Sequence, residues 1–240
     1  MPTFTARPAG LCVVDPASFE PFKDDPPFVF DGAAGTGLIV LVQCDSGVFV
    51  RLVERDTTIH SFADDKGTNL TFNGGSPWFR QLPAFRDTGC LLMEIRSTLI
   101  PAPEATEIVF RGRARLHHAA ALETRDFEGV ALQPGWKHPD LDVRIKEVST
   151  AGEALSITFE VTAEASLLIE GLTLVDASGQ ELQVDTAQFP LESGAWLRRL
   201  KVASPLEVAT LRFIQWANLQ VVDVDIHTAA RLGVFRALPG

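Results

Sequence analysis

Apolar and polar residues alternate with a period of two along most of the chain, in short runs closed by Gly, Pro, Asn, Asp or Ser. Successive side chains of a strand point to opposite faces, so this period predicts half-buried β-strands. The clearest pair is Gly37–Gln43 and Val48–Glu54, separated by Asp45-Ser46-Gly47, which reads as a β-hairpin closed by a short glycine-containing loop. Thr57–Phe62, Cys90–Ser97 and Thr106–Leu116 are further strand candidates. Helical spacing is almost absent, and only Pro16–Phe22 and His117–Glu123 invite a helical turn.

Between Leu132 and Leu141 the sequence Gln-Pro-Gly-Trp-Lys-His-Pro-Asp interrupts the strand pattern with two prolines and a glycine, the composition of a linker or sharp corner. This places a domain boundary at residue 135. Beyond it, strands are predicted at Leu141–Val148, Ala154–Thr162, Ser166–Val175, Glu181–Asp185, Trp196–Val202, Glu207–Gln215 and Leu219–Ile226, the last two as a closing pair around Ala217-Asn218. Seven short strands in about 100 residues is the count of an immunoglobulin-like sandwich. The predicted fold is therefore all-β: two tandem antiparallel β-sandwich domains, residues 1–135 and 136–240, the second immunoglobulin-like. The acidic excess is the same on both sides of Gly135, which fits two sandwiches of one general kind.

Charge narrows the function classes. Asp and Glu number 31 against 21 Lys and Arg, a net charge of −10, which disfavours phosphate backbones and anionic lipid as partners. The longest apolar run, Leu38–Val42, is far below the roughly 20 residues that cross a bilayer, so no membrane insertion is expected. The first residues, Met-Pro-Thr-Phe-Thr-Ala-Arg, do not read as a secretory signal, which points to the cytoplasm unless a leader once preceded them, when the periplasm or exterior would apply. Cys12, Cys44 and Cys90 are odd in number, lack a C-x-x-C spacing and lie in apolar surroundings, so buried free thiols are expected rather than a disulfide framework. Tyrosine is missing, so any aromatic recognition must use Trp or Phe.

Candidate chemistry is sparse. Asp64, Asp65 and Asn69 surround a glycine turn with the oxygen ligands that calcium takes, but Lys66 sits among them and no carboxylate stands at the twelfth position. A solvated turn is the simpler reading, with a structural calcium ion as the alternative and no other cofactor indicated. Asp31–Gly37 carries three glycines but leads into a β-branched run instead of a helix, which defeats a phosphate-loop reading. Arg111, Arg113 and Arg115 share one face of a strand and could grip a carboxylate or phosphate, although such a row is more often a solvated sheet face. Arg198, Arg199 and Lys201 form a smaller basic group with the same reading.

The five histidines, His60, His117, His118, His138 and His227, show no metal-site spacing, and no nucleophile motif accompanies them. Trp78 and Trp136 are the tryptophans best placed by sequence to be exposed, as platforms for sugar rings. These features together predict a non-catalytic binding or interaction protein with a protein or carbohydrate partner, acting through loops, an inter-domain groove or an open sheet edge. A carbohydrate-binding module and a hydrolase with an inter-domain site are the competing classes.

Overall fold

The computed structural model describes residues 2–14, 35–71, 78–82, 89–176 and 178–232. Within them the chain is all-β, built from antiparallel sheets in sandwich-like arrangement, with one short helix and one 3-10 turn. Contacts divide it into two compact units, one running to Ala120 and resuming at Gln220, the other continuous from Ala121 to Leu219. The division therefore does not fall at residue 135, and the second unit interrupts the first. Pro16–Phe22 and the start of the glycine-rich Asp31–Gly37 segment lie outside the described residues.

The first unit holds β1 (Phe4–Val14), β2 (Gly35–Cys44), β3 (Val48–Leu52), β4 (Thr58–Asp64), β5 (Trp78–Gln81), β6 (Cys90–Ser97), β7 (Glu107–Ala119) and, after the second unit, β15 (Gln220–Arg231). One sheet runs β1-β2-β6-β5; in the other, β7 is flanked by β15 on one side and by β3 and β4 on the other. Apolar alternation supplies the core between them: Leu38, Val40 and Val42 from β2, Leu91, Met93 and Ile95 from β6, and Ile108, Phe110 and Leu116 from β7 are all buried.

β2 and β3 are not a hairpin. β2 pairs with β1 and β6 while β3 pairs with β7, so Asp45-Ser46-Gly47 carries the chain from one sheet to the other. The corner needs glycine: Gly47 has φ +79°, and a Cβ there would lie 2.4 Å from the Ala119 carbonyl oxygen and 2.6 Å from the His118 ring. That ring packs against Phe4 and Phe49, and its Nε2 lies 2.9 Å from the Ser46 carbonyl oxygen. Cys12, Cys44 and Cys90 form no disulfide with one another, and they are half-buried rather than buried.

The second unit holds β8 (Ala121–Ala131), β9 (Val143–Ala151), β10 (Ala154–Val161), helix α1 (Ala163–Leu168), β11 (Ile169–Val175), β12 (Val184–Pro190), β13 (Trp196–Val202) and β14 (Val208–Ala217). The hydroxyl of Thr162 caps α1 by accepting the Ala165 N–H. The helical turn expected over His117–Glu123 is strand instead, because these residues pair with β15 and β14. β14 and β15, expected to close on each other, belong to different units and pair with β8 and β7. Alternation shows what the hydrophobic pattern decided: Leu155, Ile157, Phe159 and Val161 of β10 face inward, with Leu211 and Phe213 of β14 in the same core.

The second unit does hold seven strands, but not the seven expected: β8 replaces the Leu219–Ile226 strand, which is β15 of the first unit, and the order is not that of an immunoglobulin sandwich, which puts the first, second, fifth and fourth strands in one sheet. In this unit the first, seventh and fourth form a three-stranded sheet, β8-β14-β11. The second, third, sixth and fifth form a four-stranded sheet, β9-β10-β13-β12. The proline-containing corner is an integral part of the unit. Gly135 and His138 donate backbone N–H groups to the carbonyls of Ile145 and Val143, and Ile145 donates back to Trp136, so the corner lies along the outer edge of β9. A linker would leave these groups to water; here β9 takes them.

Candidate functional site

The expected sites resolve into specific contacts. Asp64 is buried, and its carboxylate accepts the backbone N–H groups of Lys66 (2.9 Å), Thr68 (2.8 Å) and Ala102 (2.7 Å). Burial pushes its pKa up, but these donors outweigh burial and hold it below the usual carboxylate range. Asp65 accepts from the N–H and hydroxyl of Thr106 and from Glu107 N–H, which lowers its pKa to about 2. Asn69 accepts the Thr71 N–H at 2.8 Å. The three oxygen-bearing side chains thus organise a loop, each through its own backbone donors. Among the described residues no group of three or more His, Cys, Asp or Glu side chains is placed to hold a metal ion.

The arginine row of β7 meets β15 in register, with Asp223 opposite Arg115, Asp225 opposite Arg113 and His227 opposite Arg111. Arg115 Nε and Nη2 donate to the two oxygens of Asp223 at 2.8 and 3.1 Å, and Arg113 Nε donates to Asp225 at 2.7 Å. Hydrogen bonding to the opposing acids raises both arginine pKa values. The row is therefore a cross-strand ladder of alternating charge, not a uniformly basic face. Trp136 stacks on Phe213 at 6.2 Å and meets Phe127 edge-on at 6.0 Å, inside an aromatic cluster of the second unit that also holds His138. That packing covers one face of the Trp136 ring, which is half-buried. The side chain of Trp78 lies outside the described residues.

The structure brings a different basic residue into an enclosed setting. On β13 the buried positions are Arg198, Leu200 and Val202, while Arg199 and Lys201 face out. Arg198 therefore points to the interior of the second unit, opposite Phe159 on β10 and Gln188 on β12, and is only 9% exposed. Its Nη2 donates to the Ile169 carbonyl at 3.1 Å, and its buried Nε has no hydrogen-bond partner among the described residues. Burial lowers its pKa, with the nearby Glu170 carboxylate opposing the shift.

Arg198 lines a cavity of about 150 Å³ together with Glu170, Gly171 and Leu172 of β11, Thr186, Ala187 and Gln188 of β12, and Arg199 and Leu200 of β13. Two features of the strands stand at its walls. β11 bulges between Ile169 and Gly171, and Gly171 allows close approach to β14, since a Cβ there would meet Ile214 at 3.1 Å. Every residue of β12 from Asp185 to Pro190 is exposed, on both faces of the strand, so its inward side is uncovered. Arg199 on the outer face lies over the Phe189 ring at 5.3 Å. The sequence reading grouped Arg198 with Arg199 and Lys201 on a surface. The signal that separates them is parity: in Leu-Arg-Arg-Leu-Lys-Val, Arg198 shares its face with Leu200 and Val202.

Among the described residues, no helix is long and apolar enough to cross a membrane. No family model, curated protein or solved structure matches the chain, so the functional reading rests on this geometry.

Proposed function

We propose that the chain is a non-catalytic interaction protein whose second unit takes up an extended partner polypeptide by strand addition at β12. The observation that carries this reading is the unguarded state of that edge. Among the described residues β12 has a single sheet neighbour; it pairs with it over seven residues without a bulge and carries one charged side chain, Asp185, with proline only at its last position. Natural edge strands are usually blunted by charge, proline, a bulge or a covering segment.

Other edges among the described residues have such devices. β1 carries Arg7, Pro8 and a register shift, β15 carries Asp223, Asp225, His227 and Arg231, and the corner Gly135–His138 runs along β9. An edge left free of them supports main-chain pairing with another chain, with affinity from backbone hydrogen bonds and specificity from alternate side chains.

Randomised extended peptides displayed against the intact chain test this. Peptides that bind should slow hydrogen exchange of β12 main-chain N–H groups at least tenfold and leave β9 unchanged. Selected peptides that protect only loops, or a sugar array giving saturable binders while no peptide protects β12, would overturn it.

A further inference from the structure

We infer that the cavity at Arg198 is a binding site for a carboxylate group. The inference does not rest on strand addition at β12; it rests on a buried cation, an unpaired donor and adjoining space. Taking a guanidinium out of water is unfavourable unless other groups satisfy it. Arg198 is nine-tenths buried, yet among the described residues its guanidinium donates a hydrogen bond only from Nη2, to a neutral carbonyl, and its Nε–H makes none. A purely structural bridge to the Ile169 carbonyl would need neither the charge nor the adjoining 150 Å³, since a lysine or an amide could make the same bond.

A guanidinium matches the fork of a carboxylate, because adjacent N–H bonds meet two oxygens in one plane. The rest of the lining suits a short chain attached to that carboxylate. Leu172, Leu200 and Ala187 are apolar, while Thr186 and Gln188 bring hydroxyl and amide groups from β12. Arg198 is the one inward-facing cation of the lining, Arg199 lying on the outer face of β13, and Glu170 is its one acid. Thr186 lies opposite Leu200 and Gln188 opposite Arg198, so both side chains share the face on which the guanidinium lies. A cavity of this volume holds a short-chain acid or a single acidic terminus, not a sugar ring chain or a nucleotide. The carboxylate can therefore come from a free organic acid or from the C-terminus of a polypeptide.

The test titrates the intact chain with acetate, propionate and butyrate at constant ionic strength, with acetamide as the neutral control, following backbone amide resonances of Leu172 and Leu200. A second arm uses a short peptide with a free C-terminus and its amidated form. Saturable shifts from an acid, absent with acetamide, assign the site to free acids. Shifts from the free-terminus peptide that weaken at least tenfold on amidation, with no response to the small acids, assign it to a polypeptide terminus.

In either case Arg198→Met should weaken binding at least tenfold, and Lys201→Gln, which removes an outward-facing charge from the same strand, should change it less than twofold. Should Arg198→Met fail to fold, Thr186→Phe at the exposed mouth of the cavity carries the same expectation without touching the buried charge. No saturable response to any carboxylate up to 100 mM, or binding undiminished in Arg198→Met or Thr186→Phe, would overturn the assignment.

Discussion

Lowering the pH from 8 to 5 should weaken the second unit through one side chain, His138. The ring is 4% exposed and lies between Phe127 and Phe213, with centroid distances of 4.6 and 4.8 Å. Its Nδ1 accepts the backbone N–H groups of Asp140 and Leu141, both at 3.0 Å, which requires the neutral tautomer with its proton on Nε2. Protonation would remove both acceptor bonds and bury a cation among aromatic rings. Burial therefore holds the His138 pKa below 6.5, Asp140 opposing the shift and Arg125 adding to it.

The sign follows from proton uptake. Below pH 6.5 the unfolded chain binds the proton and the folded chain resists it, so the stability contribution is complete above that pH and falls as the pH drops toward the folded pKa. The limiting slope is about 1.4 kcal/mol per pH unit, or about 2 kcal/mol between pH 6.5 and pH 5 if the folded ring stays neutral. His117 contributes in the same direction, being partly buried and accepting from Arg51 Nε at 3.2 Å, so the measurement must be a difference.

His138→Asn keeps an oxygen near the Nδ1 position but removes the ring and its titration. It should cost about 2 kcal/mol at pH 8 through lost packing. Urea unfolding followed by tryptophan fluorescence, to which Trp136 contributes 6.3 Å from His138, gives the stability of both proteins at pH 8, 6.5 and 5. The gap between wild type and variant should narrow as the pH falls from 8 to 5. A gap that stays constant across this range would refute the argument.

Gly47→Ala should destabilise the first unit by more than about 2 kcal/mol, because a left-handed residue is strained and its Cβ would meet backbone at 2.4 Å; denaturant titration reads this directly. Asp64→Ala should cost on the order of 3 kcal/mol by leaving the N–H groups of Lys66, Thr68 and Ala102 without their acceptor, a loss checked by the same titration. Because those donors already fill the carboxylate, adding calcium should leave the thermal midpoint of wild type unchanged, and a calcium-dependent rise of several degrees would contradict that reasoning. Asp223→Asn should lower the midpoint only slightly at low salt and not at all in 0.5 M salt, since the Arg115 pair is exposed and screened.

Period-two alternation by itself determined that the chain is all-β and which face of most strands is buried. Leu155, Ile157, Phe159 and Val161 could be assigned inward from the sequence, and so could Arg198, whose parity with Leu200 and Val202 marks it as an inward-facing charge. Alternation specifies a face but not a neighbour, because any strand of matching pattern can bury the same side.

Only the tertiary structure decided that Val48–Leu52 pairs with β7 and not with β2, that β15 returns to the first unit, and that the second unit's strands depart from the immunoglobulin order. The same is true of the sites. The acids opposite Arg113 and Arg115 are more than 100 residues away along the chain, and the cavity at Arg198 is assembled from three strands. Such contacts form wherever burial of both cores is most complete, a long-range property that no local window of sequence contains.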